Sequence, residues 1–267
     1  MGQQAQTLAR PRGGARAAGR RSGRAVPTAQ PVDRLAQAAR YLGVAAALGM
    51  VAMLYMALIY APTERTQGHA QRIFYPHYGS AIMTYVAYIV TCVASVGYLW
   101  KRGERWDQVA RASAEVGVLL NTILLLSGAI WGKTIWGTWW TWDARLTSTL
   151  ILWFIYVGYL MLRSYGGDTP QIARSAAAIG IIGCLDIPII NQSVKWWRTL
   201  HPAPVVQRAS PALPAEMIQA MLVAMLAFFL LYLYLTVQRL RVAQLEAAAG
   251  QVRQRLLFAE GDTRDAG

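Results

Sequence analysis

The chain has 267 residues, of which 55% are apolar and only 15% charged, against about a quarter charged in soluble globular proteins. Its charges gather into a few clusters separated by long uncharged runs, a pattern that excludes a soluble sheet-based domain and points to an integral membrane protein. The net charge of +13 does not imply nucleic acid, because the basic residues flank the apolar runs and act there as topology signals.

Residues 1–40 carry eight arginines among Gly, Ala, Gln and Pro, with Asp33 as the single acid. Such a composition cannot build a core and predicts a disordered basic cytoplasmic tail. Arg20 and Arg21 form a twin-arginine pair, but the apolar run begins about twenty residues later, too far for an export signal.

A membrane domain over 41–237 follows, with six apolar stretches at 41–61, 78–100, 113–131, 147–165, 172–191 and 215–237. Each is near the roughly 20 residues that a helix needs to cross a bilayer. The connector 62–77 holds His69 and ends on His77, in QRIFYPHYGS. Cys92 and Cys184 lie within the second and fifth spans, far apart in sequence and without CxxC, CxxCH or zinc spacing. They are expected to be small buried hydrophobes.

Between the third and fourth spans runs WGKTIWGTWWTWDARLTS, residues 131–148. Half of the ten tryptophans fall in its first twelve residues: Trp131, Trp136, Trp139, Trp140 and Trp142. Asp143 and Arg145 close it. Two or three interfacial Trp need no special explanation, but this density exceeds an ordinary aromatic belt and suggests a flat apolar shelf for a large planar ligand. The fifth span carries Asp186 in CLDIPIINQS, expensive in a bilayer, with Pro188 interrupting the helix ladder beside it. A polar floor beneath the outer site and a helix-packing hydrogen bond are both open for it. The last outer connector contains VKWWRTLHPAP, with Trp196, Trp197, Arg198 and His201. The tail 238–267 spaces Leu240, Leu245, Val252, Leu256 and Leu257 in a loosely amphipathic pattern.

Lys and Arg divide 19 to 7 between the two sets of connectors. The positive-inside rule then puts both termini in the cytoplasm and the loops 62–77, 132–146 and 192–214 outside. All three histidines lie in those outer loops. His77 and His201 are expected at membrane-surface depth on the same side as the tryptophans, and His69, with no aromatic cluster beside it, as an ordinary loop residue. Imidazole is a good iron ligand, and a pair can hold a haem from both faces. Porphyrin is planar and apolar with two propionates, which arginine's fork suits. Arg145, Arg72 and Arg198 are positioned for them, while Asp143 is expected to orient Arg145 or a Trp N–H.

The run WGTWWTWDARLTS, Trp136 to Ser148, resembles the tryptophan-rich WWD signature of membrane proteins that handle haem during c-type cytochrome assembly. Six spans, a histidine before the second and DIPIINQSVKWWRTLH after the fifth make the chain similar, over about 60–235, to the haem exporter C family. That family supplies the haem-delivery subunit of the system I cytochrome c maturation pathway. The resemblance implies an all-α protein of the bacterial cytoplasmic (inner) membrane, crossing it many times. It implies a b-type haem, held non-covalently at the outer (periplasmic) face in the WWD loop, with His77 and His201 as axial ligands. Delivery to a periplasmic haem chaperone is also implied, with ABC transporter subunits and a small single-span subunit as partners. In two places the chain departs from the family pattern: Pro76-His77-Tyr78 stands where His-Val-Pro is usual, and Pro202 follows the second histidine where Gln is usual.

The expected function is therefore haem binding and transfer, without catalysis. A cytochrome c synthetase would be expected to carry more spans and histidines inside them, and this chain has no histidine inside any predicted span. A small-molecule permease commonly shows internal repeats and sites near the midplane, and no repeat is seen. Export of haem across the membrane stays open, since a surface site is also a plausible exit.

Overall fold

The computed structural model of the chain describes residues 30–167, 169–197, 199–201 and 213–264. It is built of seven helices: α1 Gln30–Tyr55, α2 Phe74–Lys101, α3 Glu104–Trp136, α4 Ala144–Gly166, α5 Pro170–Cys184, α6 Asp186–Trp196 and α7 Ala215–Arg264. A π-helical turn, Met56–Tyr60, continues α1, and a 3-10 turn, His69–Ile73, leads into α2. Six segments are long and apolar enough to cross a membrane, α5 and α6 together making the fifth. The expected all-α, six-span architecture is therefore the one observed.

Local chemistry sets most boundaries. Asp143 caps α4 by accepting from the main-chain N–H groups of Arg145 and Leu146, and Thr169 caps α5, with Pro170 at its first position. Gly137, at φ 76°, ends α3 in a left-handed conformation that costs glycine little. Helix α1, described from Gln30 on, already occupies part of the stretch expected to be a tail, because DRLAQAAR is made largely of good helix formers. Residues 1–29 lie outside the described residues. Helix α7 runs without interruption into the segment expected as a tail, since QRLRVAQLEAAA has the same character. The break expected near Pro188 falls at Leu185, so that Asp186 opens α6 and Pro188 sits in its first turn.

Helix α2 is central, packing on α3, α5 and α7, while α1 lies against α7. Close approach depends on small residues. A Cβ on Gly117 would stand 2.6 Å from the Tyr88 ring, and one on Gly183 2.7 Å from Tyr156. Those two tyrosines stack face to face, 3.7 Å between ring centroids, and anchor one core cluster with Leu152 and Ile190. A second cluster joins α1, α2, α3 and α7 through Met53, Met83, Leu120 and Phe228. Val44, Leu48 and Val51 on α1 stay exposed, as lipid-facing residues should. At the end of the bundle away from the tryptophans, Arg163 of α4 forms a two-pronged ion pair with Asp107 of α3, and Glu115 accepts from Arg111 and Arg239. A cleft lined by Asp107, Arg111, Glu115, Arg163 and Arg239 opens at that same end.

Candidate functional site

The tryptophan stretch is divided between a helix end and a loop. Trp131 and Trp136 occupy the last turns of α3, which reaches beyond the span expected to end at 131, while Trp139, Trp140 and Trp142 lie in the connector to α4. Trp131 is held from both ends: its Nε1 donates to Gln67 Oε1 at 3.1 Å, and its ring meets Phe74 and the His77 ring, the latter with centroids 5.5 Å apart. Trp136 folds over Gly132, where a Cβ would lie 3.2 Å from the indole, and faces the His201 ring edge-on at 6.2 Å. Trp139 and Trp142 are 59% and 78% exposed. Trp140 packs edge-on against Trp142, and its buried Nε1 makes no hydrogen bond among the described residues. Trp196 and Trp197 pack edge to face and are likewise largely exposed. Two indoles thus sit directly against the histidines, while Trp139, Trp142, Trp196 and Trp197 are largely exposed.

His77 lies in the first turn of α2, where Pro76 is tolerated because the first-turn N–H groups have no helical partner. Its Nδ1 is 3.1 Å from Ser127 Oγ. The Ser127 hydroxyl hydrogen is already given to the Ile123 carbonyl at 2.7 Å, so toward the imidazole its oxygen accepts. The Leu124 carbonyl faces the same ring and can only accept. With Nδ1 as donor to Ser127 Oγ, the lone pair is left on Nε2. Gly128 makes room: a Cβ there would stand 3.1 Å from His77 Cε1.

His201 is positioned through Asp143. One carboxylate oxygen, Oδ1, caps α4; the other, Oδ2, accepts from the Thr199 hydroxyl and from Leu200 N at 3.0 Å. Thr199 Oγ1 in turn accepts from His201 N at 3.0 Å. Burial pushes the Asp143 carboxyl up, but the Thr199 hydroxyl and the N–H groups of Arg145, Leu146 and Leu200 outweigh it and hold the carboxyl below its ordinary value. Asp143 was expected to orient the Arg145 side chain or an indole; its partners are instead the Arg145 main chain and the 199–200 segment.

Arg145 reaches His201, with Nη1 3.2 Å from Nδ1, and also faces the Tyr85 hydroxyl. His77 lies within electrostatic range of both His201 and Arg145. His77 and His201, 124 positions apart in sequence, are thus near enough in the fold to act on each other electrostatically. The Nε of Arg72 is buried without a hydrogen bond among the described residues, His69 is exposed at the start of the 3-10 turn, and Arg198 lies outside the described residues. Asp186 opens α6 with Oδ2 buried and without a described hydrogen bond, close enough to Tyr85 to act on it. Sequence reasoning missed Gln67, Tyr85, Ser127 and Gly128. Each is unremarkable in sequence, and only its contacts in the fold, Gln67 with Trp131, Tyr85 with Arg145, and Ser127 and Gly128 with His77, give it a role. It also missed that Cys92 and Cys184 meet in space, close enough for a thiol hydrogen bond.

Among the described residues no group of three or more His, Cys, Asp or Glu could hold a metal ion. Two imidazoles suit a metal that arrives with four ligands of its own.

The sequence profile described as "Heme exporter protein C" matches residues 26–255. The chain belongs to the heme exporter protein C family. It is 36% identical over 220 residues to the heme exporter protein C of Bradyrhizobium diazoefficiens, covering 81% of this chain and 83% of that protein. With the Escherichia coli K12 heme exporter protein C it shares 37% identity over 183 residues, 68% and 74% of the two chains. A mitochondrial protein of Marchantia polymorpha, named for cytochrome c biosynthesis, is 35% identical over 178 residues, 67% of this chain and 75% of that one. The family match spans all six crossings and every described residue of the site, and extends beyond the 60–235 range of the sequence resemblance at both ends.

Proposed function

We propose that this member of the heme exporter protein C family binds haem and hands it on for cytochrome c maturation, without itself catalysing a reaction. The observation that carries this reading is the nearness of His77 and His201, each with an indole against its ring, among largely exposed tryptophans. Haem is cargo here, b-type and non-covalently held. Trp139, Trp140, Trp142, Trp196 and Trp197 supply affinity. Each indole covered removes on the order of 100 Å² of apolar surface from water, about 2–3 kcal/mol before ordering costs. His77 and His201 take the two axial positions and keep the iron from reacting idly. Arg72 and Arg145 take the propionates, with Arg198 as a further cation by sequence position.

The excess of Lys and Arg in the other connectors supports placing this site on the periplasmic face of the bacterial inner membrane, with both termini in the cytoplasm. A periplasmic haem chaperone then removes the haem by displacing one axial ligand. The family supplies the remaining partners of the proposal, ABC transporter subunits and a small single-span subunit. Purified protein loaded with haem should show a six-coordinate, bis-imidazole spectrum, which His77→Ala and His201→Ala should each lose. Wild-type spectra from both variants would refute the ligand assignment.

A further inference from the structure

Two arginines at the end of the bundle away from the tryptophans have no part in haem binding. Arg40 of α1 stands immediately before the apolar run that begins at Tyr41, and Arg241 of α7 stands just past the run that ends at 237. Both therefore lie at the depth of a lipid headgroup. The two helices pack side by side, and both arginines line one groove between them, about 390 Å³ in volume and within the range of small-ligand sites. Among the described residues neither guanidinium has an acidic partner, and the Nε of Arg241 is buried without a hydrogen bond. The acids described at this end are engaged elsewhere. Glu115 holds Arg111 and Arg239, Asp107 holds Arg163, Glu104 accepts from Gln108, and Glu246 acts on Arg239. Two like charges on one groove repel each other unless an anion sits between them.

The rest of the groove suits the same guest. The Tyr234 hydroxyl accepts from Gln238 Nε2 at 3.2 Å, which leaves its own hydrogen to donate. Toward the membrane the wall is Val44 and small residues. Gly43 lets the Tyr234 ring lie against α1, where a Cβ would stand 2.9 Å from it. Donors at the mouth and an apolar wall below fit a phosphate diester that carries acyl chains, whereas a free anion would use only the donors. We propose that this groove binds an anionic phospholipid, its phosphate held by Arg40 and Arg241 and an acyl chain laid along α1 past Val44. One headgroup shared by both helices ties α1 to α7. That tie matters because α7 is the main neighbour of α1, the span with the smallest buried share.

The full chain, purified in detergent, is titrated separately with dioctanoyl phosphatidylglycerol, dioctanoyl phosphatidylcholine and inorganic phosphate. Native mass spectrometry counts bound lipid, and the thermal midpoint follows stability. Phosphatidylglycerol should bind and raise the midpoint as its concentration rises. Phosphatidylcholine, whose phosphate is offset by its own choline, should bind more weakly, and inorganic phosphate should leave the midpoint unchanged. A basic residue beside an anionic headgroup is worth about fivefold in affinity, so Arg40→Gln should weaken phosphatidylglycerol about fivefold and Arg40→Gln with Arg241→Gln about 25-fold. Arg253→Gln, at an exposed position further along α7, should bind it like the wild type. Arg40 is itself exposed, so its single variant should keep the fold and carries the test if the double variant does not. Equal affinity in the wild type and Arg40→Gln, equal affinity for the two lipids, or a loss of equal size in Arg253→Gln would overturn the site. A midpoint raised as much by inorganic phosphate would overturn the lipid as its occupant.

Discussion

Asp143→Asn separates two tasks that one carboxylate performs. In the wild type Oδ1 caps α4 while Oδ2 accepts from the Thr199 hydroxyl and from Leu200 N, fixing the segment that carries His201. Asparagine caps a helix about as well as aspartate, so α4 should keep its start. Its amide nitrogen, turned toward the loop, would meet the Leu200 N–H donor to donor. The loss of hydrogen bonds to a charged acceptor costs roughly 1.5–3 kcal/mol, and in this partly open position about 2 kcal/mol is the better figure. That lowers the docked population of the His201 segment roughly 30-fold. If haem binding needs the docked segment, its apparent affinity falls by up to the same factor. Ferric haem titration of the purified variant should show affinity weakened by about tenfold or more and a partly five-coordinate spectrum, with a thermal midpoint close to wild type. Wild-type affinity and a fully six-coordinate spectrum would refute the idea that Asp143 positions His201. The pH dependence has a definite sign. The folded carboxyl lies below its ordinary 3.8, so its contribution is complete above that value and is lost as pH falls through the lower folded one. Exchange protection of the Leu200 amide, corrected for the intrinsic rate, should be level from neutral pH down to about pH 4 and fall only below it.

Ser127→Ala removes the Nδ1 partner of His77 and, like other changes behind a metal ligand, should weaken ferric haem binding about 10- to 100-fold without loss of fold, as haem titration would show. Gly128→Ala should raise or leave unchanged the thermal midpoint, since alanine favours helix by up to about 1 kcal/mol, yet weaken haem ligation, because the new methyl crowds His77 Cε1 at 3.1 Å. Arg163→Met leaves Asp107 without its two-pronged partner and should lower stability by about 3 kcal/mol, measured by thermal unfolding in detergent, while Arg163→Met combined with Asp107→Leu should recover part of the loss. His69→Ala, at an exposed position, should leave the haem spectrum unchanged.

The fold class and the number of crossings were determined by the sequence alone, because hydrophobic length against bilayer thickness is a one-dimensional property. The WWD run and the two histidines were legible for a similar reason: five tryptophans in twelve residues and three histidines in the whole chain are unusual as counts. The helix ends were less legible. Trp136 is helical because Gly137 takes the left-handed turn one residue later, and α1 and α7 run on because their polar flanks are themselves good helix formers. What only the tertiary structure decided is which atom faces which. Ser127 and Arg145 lie on different helices from the imidazoles they meet, and hydrogen-bond polarity depends on positions within a few tenths of an ångström, which no spacing along the chain encodes. The sequence names two histidines as equals. The packing of α2 on α3, and of the 199–201 segment on α4, gives one of them a serine and the other an arginine as partner.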